Sequence, residues 1–228
     1  LVSLSPLFKP RGGNRMHDRV HRKGTENAVR AAEAADVDRF VQMSGIHASP
    51  DAPTAYLRAK GRAEELVKGS ALDWVIFRPT VAFGEGAEIV PFIRKVALPY
   101  LTPLPGGGRT RMQVIWVQDL IPMLADGVEG NEFVGGTYEL GGPDRLTIAR
   151  IAELVHAADG RPTNVVPIPM PLAGMGMSLG GMIPGFPFSA DQYRSLKLEL
   201  VVSENDVDAF GVQETDLKHF AEYLGVER

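Results

Sequence analysis

The chain has 228 residues, 44% hydrophobic and 23% charged, as in an ordinary folded domain and unlike a disordered chain. Its 24 basic and 28 acidic residues leave a formal charge of −4, too balanced for a general nucleic-acid binder. Without cysteine there are no disulfides, thiolate metal sites or cysteine nucleophiles, and the five histidines read as scattered surface or helix-polar groups that give a metal site little support.

The opening Leu1-Val2-Ser3-Leu4-Ser5-Pro6 reads as the end of a buried strand running into a loop, not as a signal peptide, and hence as part of a longer protein. A basic stretch follows (Lys9, Arg11, Arg15, Arg19, Arg22, Lys23, Arg30, beside Asp18 and Glu26). It is either a solvated face or a surface for an anionic lipid, a phosphate-bearing ligand or an acidic partner. Residues 20–35 carry a helical pattern, with Gly24, Ala28, Ala31, Ala32 and Ala35 as a small-residue face suited to lying on a sheet. Residues 39–44 form a short apolar strand bounded by Gly45. Residues 54–68 form a helix that Thr54 caps at its start and Gly69 closes. Residues 74–78 are a nearly continuous apolar run ended by Pro79, as expected of a strand buried on both faces. Helix, strand, helix, strand in this rhythm predicts an α/β fold with a doubly wound parallel sheet.

Beyond Gly86 the rhythm loosens. Strands are expected at 113–117 and 137–140, and helices at 120–127, 147–159 and 216–224. Asp119 reads as a helix cap, and Trp74 and Trp116 as core. Residues 1–86 are therefore read as the C-terminal half of a dinucleotide-binding Rossmann-like domain. Residues 87–228 are read as a mixed segment that completes the sheet and adds a small C-terminal lobe for substrate or partner. Residues 162–190 carry no formal charge and include six prolines, which break any membrane-spanning helix. This arm is either a flexible apolar lid or packing element, or a contact for a protein partner or the membrane surface. The glycines at 174, 176 and 180 within it read as loop or close helix packing and not as a phosphate cradle, since no clean strand precedes them.

Chemistry concentrates at Tyr56-Leu57-Arg58-Ala59-Lys60, which puts a phenol and an ammonium on one helix face. A nearby cation favours the phenolate and lowers the phenol's pKa, so that Tyr56 exchanges a proton with a substrate hydroxyl or carbonyl while a cofactor moves the hydride. Ser44 ends the strand before this helix, and Arg78-Pro79-Thr80 ends the strand after it. The carboxyl ends of strands are where open α/β sheets bind ligands.

Gly24-Thr25-Glu26-Asn27 with Ala31-Ala32, then Ser44, Tyr56-x-x-x-Lys60 and Arg78-Pro79-x-x-x-Phe83-Gly84-x-Gly86 resemble successive landmarks of the extended and atypical short-chain dehydrogenase/reductases, the NAD-dependent epimerase/dehydratase-like group. Residues 56–64 (YLRAKGRAE), Leu72-Asp73-Trp74, and Gly106-Gly107-Gly108 followed by Val117-Gln118-Asp119 resemble one branch of it, the dinucleotide-binding accessory subunits of respiratory complex I and their prokaryotic relatives. The resemblance implies NAD or NADP as cofactor and Tyr56 as general acid/base. Lys60 would hold the nicotinamide ribose and tune Tyr56, and Pro79 and Thr80 would flank the nicotinamide. Ser3 and Leu4 would lie beside the cofactor. Ser44 is either the carbonyl-polarising hydroxyl or a structural strand end, because the active hydroxyl in many extended members falls at what are here Gly45 and Ile46. Asn27 either satisfies a buried backbone group or supports the site and cofactor through water. Arg109 and Arg111 stand where sugar-nucleotide epimerases carry a phosphate-binding basic residue. The family's glycine-rich turn is expected upstream of Leu1.

Three functions follow as expectations. The first is an NAD(P)-dependent oxidoreductase-like protein acting on or near a hydrophobic, quinone- or lipid-like substrate. The second is a nucleotide-sugar epimerase or dehydratase. The third is a non-catalytic, cofactor-holding scaffold or assembly factor of a respiratory complex. The partners expected are a small-molecule substrate and a protein or membrane surface, with no nucleic acid and no transmembrane span. The location expected is cytoplasmic, with a peripheral membrane contact.

Overall fold

The computed structural model of the chain describes residues 13–98, 101–183 and 188–227. Arg15–His17, the π-helical turn Asp18–Arg22 and Lys23–Ala34 run on as one helix, α1. Strand β1 (Arg39–Met43) follows, then α2 (Ala55–Lys68) and β2 (Asp73–Pro79). Thr54 caps α2 by accepting from the Leu57 amide at 3.2 Å, and Gly69 closes it, both as the sequence predicts.

β1 and β2 pair in parallel, with Val41 opposite Val75. β2 also pairs in parallel with β6 (Thr137–Leu140), with Phe77 opposite Tyr138. The alternation along β2 explains why this run has no polar side. Val75 and Phe77 point to one face, packing with Leu120 and Met123 of α4 (Val117–Glu129). Ile76 points to the other, packing with Val29 of α1 and Val67 of α2. All three central residues are fully buried, each contributing about 1.5–3 kcal/mol by leaving water. A parallel sheet with helices on both faces is the doubly wound arrangement.

A second sheet joins β3 (Val81–Phe83), β5 (Arg111–Trp116) and β7 (Asp144–Thr147). β3 is parallel and β7 antiparallel to β5. Its core holds Phe83, Val114, Ile93 of α3 (Ile89–Val96), and Ile151 and Val155 of α5 (Ile148–Ala158). β4 (Thr102–Pro105) and β8 (Val165–Ile168) form a two-stranded parallel ribbon. The sequence hides these two strands because Pro103, Pro105 and Pro167 read as loop, yet in a two-stranded ribbon each strand has a free edge where a missing N–H costs nothing.

Several expectations are corrected. The small-residue face of α1 meets the sheet only at Ala32, which packs in the cluster of Val29 and Ile76. Gly24, Ala28, Ala31 and Ala35 are exposed, and the buried stripe is His17, His21, Thr25 and Val29, spaced by one turn. The helix expected over 216–224 shrinks to α8 (Phe220–Leu224), because Leu217 is extended and buried in one core while Phe220 is buried in the other. Asp119 does not cap α4. It sits in that helix's first turn and accepts from the Lys218 amide at 2.7 Å, tying the C-terminal segment down. Trp74 and Trp116 are half-buried at the margins of their cores. Within the uncharged arm, α6 (Met170–Gly180) packs against α7 (Ala190–Ser195) through Ala173 and Gly174, and a Cβ on Gly174 would stand 2.7 Å from the Tyr193 ring. Leu172, Met175, Leu179, Met182 and Ile183 remain exposed. Among the described residues no helix is long and apolar enough to cross a membrane.

Candidate active site

Tyr56 and Lys60 lie one turn apart on α2, where that helix passes the carboxyl ends of β1 and β2. The close approach depends on Gly61, since a Cβ there would fall 2.2 Å from the Ser49 carbonyl carbon in the loop leaving β1. Arg78 of β2 holds the same helix from the sheet side. Its guanidinium donates to both carboxylate oxygens of Glu64 at 2.9 and 2.7 Å, to Glu139 at 3.3 Å, and to the Ala48 carbonyl at 3.2 Å. Glu64 is only 2% exposed, so this charge is matched inside the protein.

The Lys60 ammonium is buried and donates to the Met43 carbonyl at 2.8 Å. Burial lowers its pKa to about 8, partly offset by the Glu64 carboxylate. The ammonium lies 5.9 Å from the Tyr56 ring centre. Burial pushes the Tyr56 phenol up to about 12, so the expectation that the lysine lowers it is corrected: loss of water sets the direction. The resting phenol is a proton donor. A Cβ on Gly45 would lie 3.9 Å from the phenolic oxygen, which places that oxygen at the mouth of β1.

Ser44 is 4% exposed. Its amide donates to the Phe77 carbonyl at 2.7 Å, and its hydroxyl has no protein partner. Thr80, just past β2, donates its amide to Leu140, and its buried hydroxyl also lacks a partner. Two unpartnered buried hydroxyls beside a phenol and an amine fit the polar nicotinamide end of a dinucleotide. These groups, with Pro79, border a cavity of ≈ 460 Å³ whose opposite walls are Phe92, Met112, Ile148, Met177, Phe188 and Leu196.

The structure thus brings Ser44, Tyr56, Lys60, Pro79 and Thr80 together. Asn27 does not join them. It is exposed on α1, because helical periodicity sends the 17–21–25–29 stripe inward instead. Neither Arg109 nor Arg111 lines the cavity. Arg109 is exposed, and Arg111 donates to both carboxylate oxygens of Glu199 at 3.0 and 2.7 Å. Ser3 and Leu4 lie outside the described residues.

His17 and His21 were missed. They are 0% and 5% exposed, stack 5.9 Å apart, and meet the Tyr56 ring edge-on at 5.6 and 5.2 Å. The π-helical turn, a feature that recurs at functional sites, carries His21 to this contact. Burial lowers the pKa of both rings, that of His21 to about 3, where the Lys60 charge adds to the effect. The His-x-x-x-His spacing, continued by Thr25 and Val29, is the signal that reveals them. Among the described residues no three His, Asp or Glu side chains gather to hold a metal ion.

Residues 7–90 match the family described as NAD(P)H-binding. The chain is 31% identical over 211 residues to the mitochondrial "NADH dehydrogenase [ubiquinone] 1 alpha subcomplex subunit 9" of Arabidopsis thaliana, covering 88% of this chain and 52% of that protein. It is 28% identical over 156 residues to the NAD(P)H azoreductase of Xenophilus azovorans, covering 68% and 52%. A solved nucleoside-diphosphate-sugar epimerase from Staphylococcus aureus superposes with a TM-score of 0.66 at 18% identity, over 92% of this chain and 72% of that one, and so shares its fold. The chain thus carries an NAD(P)-binding domain and shares its fold with the epimerase/dehydratase-type proteins to which it is similar. In particular it is similar, over most of its own length, to the complex I accessory subunits, and it spans about half the length of the curated relatives it matches.

Proposed function

We propose that the protein of which this chain is part binds NAD(P)H and transfers reducing equivalents to an apolar, quinone- or lipid-like carbonyl compound. The observation that carries the reading is the composition of the cavity at the strand ends. A phenol, an amine and two unpartnered hydroxyls stand at the strand ends, facing walls of Phe, Met, Ile and Leu. When bound, the reduced nicotinamide supplies hydride. Tyr56, protonated at neutral pH, donates to the carbonyl oxygen, and Ser44 polarises that oxygen. The Lys60 ammonium, bonded to the Met43 carbonyl, anchors the helix that carries Tyr56. Residues 1–86 would form the cofactor half and residues 87–228 the substrate side. Titrating full-length protein with NADH and with NADPH should quench tryptophan fluorescence, and quenching by neither would overturn the reading. Oxidation of the bound cofactor by a short-chain quinone should then be lost in Tyr56→Phe.

A nucleotide-sugar epimerase needs a cation for the substrate diphosphate. Arg109 and Arg111 stand off the cavity, and Lys60 is the single basic residue among its described lining residues, which favours the apolar substrate.

The exposed apolar side chains of α6 favour a second reading, a scaffold docked through the 162–190 arm on a protein partner or the membrane surface. The similarity to complex I subunits supports a protein partner. On this reading Tyr56→Phe leaves biological activity intact and removal of residues 171–188 abolishes it.

A further inference from the structure

We propose that Asp191 is a positioning residue for Tyr56: its carboxylate, delivered by the stretch 188–200, fixes the first turn of α2. The inference rests on the reading of Tyr56 as the acid/base group. Asp191 is 1% exposed, and its two carboxylate oxygens accept from the Ala55 amide at 2.9 and 3.0 Å. Ala55 opens α2 and immediately precedes Tyr56. The Thr54 hydroxyl already satisfies the Leu57 amide, so Asp191 caps a different orphan donor of the same turn, with its charge at the positive end of the helix.

The same stretch holds the other end of the active-site loop. The His47 ring Nε2 donates to the Glu199 carbonyl at 2.8 Å, and His47 has a left-handed backbone, φ 61°, uncommon for a non-glycine residue. Ser44 and Tyr56 therefore stand at the two ends of a loop tied at both ends to residues 191 and 199. Gln192, Ser195, Leu196, Leu198 and Leu200 of that stretch also line the cavity. The wall that contacts substrate is thus the element that sets Tyr56. The groups facing Asp191 are the Ala55 amide, the Arg194 guanidinium at 3.8 Å, and His17, whose ring touches Tyr56. A carboxylate buried with one cation at long range and two acceptors spent on a single amide is costly unless that amide must be held.

The test uses the full-length protein with Asp191→Ala, and Asp191→Leu as a volume-preserving second variant. Three quantities are read: exchange of the Ala55 amide, exchange of the Val75 and Ile76 amides, and the Tyr56 phenolate titration obtained by difference from the matching Tyr56→Phe protein. Loss of the cap should speed Ala55 exchange about tenfold or more, leave β2 protection unchanged, and move the Tyr56 titration downward as water reaches the phenol. Asp191→Asn, which keeps an acceptor oxygen, should restore most of both signals. Unchanged Ala55 exchange, an unchanged Tyr56 titration, or an equal loss of protection in β2 would each overturn the proposal. Failure of the protein to bind NADH would instead strike the functional reading and leave these readouts interpretable.

Discussion

The Lys60 ammonium donates to the Met43 carbonyl and stands 5.9 Å from the centre of the Tyr56 ring. The amine is thus spent on the end of β1, and the phenol is left to its buried surroundings. Proton donation by Tyr56 and anchoring of α2 by Lys60 are separate tasks within one helical turn.

The Tyr56 phenol should therefore titrate late. Unfolded chains ionise tyrosine near 10 while the folded protein holds this proton to about 12, so folded stability falls as pH rises through that window. A 295 nm difference titration of wild type against Tyr56→Phe should show no Tyr56 component below about pH 11. A component near 10 would contradict the desolvated geometry.

Acid should act through the histidine pair. Folding holds His21 neutral down to about 3, whereas the unfolded chain takes up a proton near 6.5, so stability declines by about 1.4 kcal/mol per pH unit across that range. In His21→Phe the drop in melting temperature between pH 7 and pH 5 should shrink, with the Tyr56 edge contact kept. The same drop in both proteins would show that His21 charges in place.

Breaking the Glu64–Arg78 pair should be costly. Glu64→Gln leaves Arg78 with Glu139 alone at 3.3 Å, and Arg78→Met leaves the buried Glu64 with Lys68 alone at 3.9 Å, each at a cost of about 3 kcal/mol. Denaturant unfolding should show the double variant less destabilised than the sum of the single ones.

Gly61→Ala should loosen the site without touching a polar group. Its Cβ would meet the Ser49 backbone at 2.2–2.5 Å, so α2 must shift, at a cost of about 1–3 kcal/mol. Unfolding midpoints and NADH titration should both report it, since the shift moves Tyr56 and Lys60 together.

Tyr56→Phe keeps the ring against His17 and His21 and removes only the hydroxyl. Cofactor oxidation should fall by about 10²–10⁴-fold with NADH affinity unchanged. Equal rates in both proteins would move the balance to the scaffold reading.

Much of the sheet side was legible in the linear chain because local signals agree there. Thr54 and Gly69 bracket α2, the apolar run of β2 announces burial on both faces, and Pro79 ends it. The tyrosine and lysine at one-turn spacing, with Ser44 and Thr80 at strand ends, needed only the rule that ligands sit at carboxyl ends. Tertiary structure decided the rest. Which stripe of α1 faces inward depends on its neighbours: small residues at 24, 28 and 31 suit close packing, yet the histidines at 17 and 21 are the ones taken in. The proline-bearing strands β4 and β8 exist only because each finds the other. The sign of the Tyr56 shift turns on how much water the fold removes. Sequence spacing does not set it. Asp191 reaches Ala55 from far along the chain, and no local pattern foretells a contact whose two ends are independent until folding joins them.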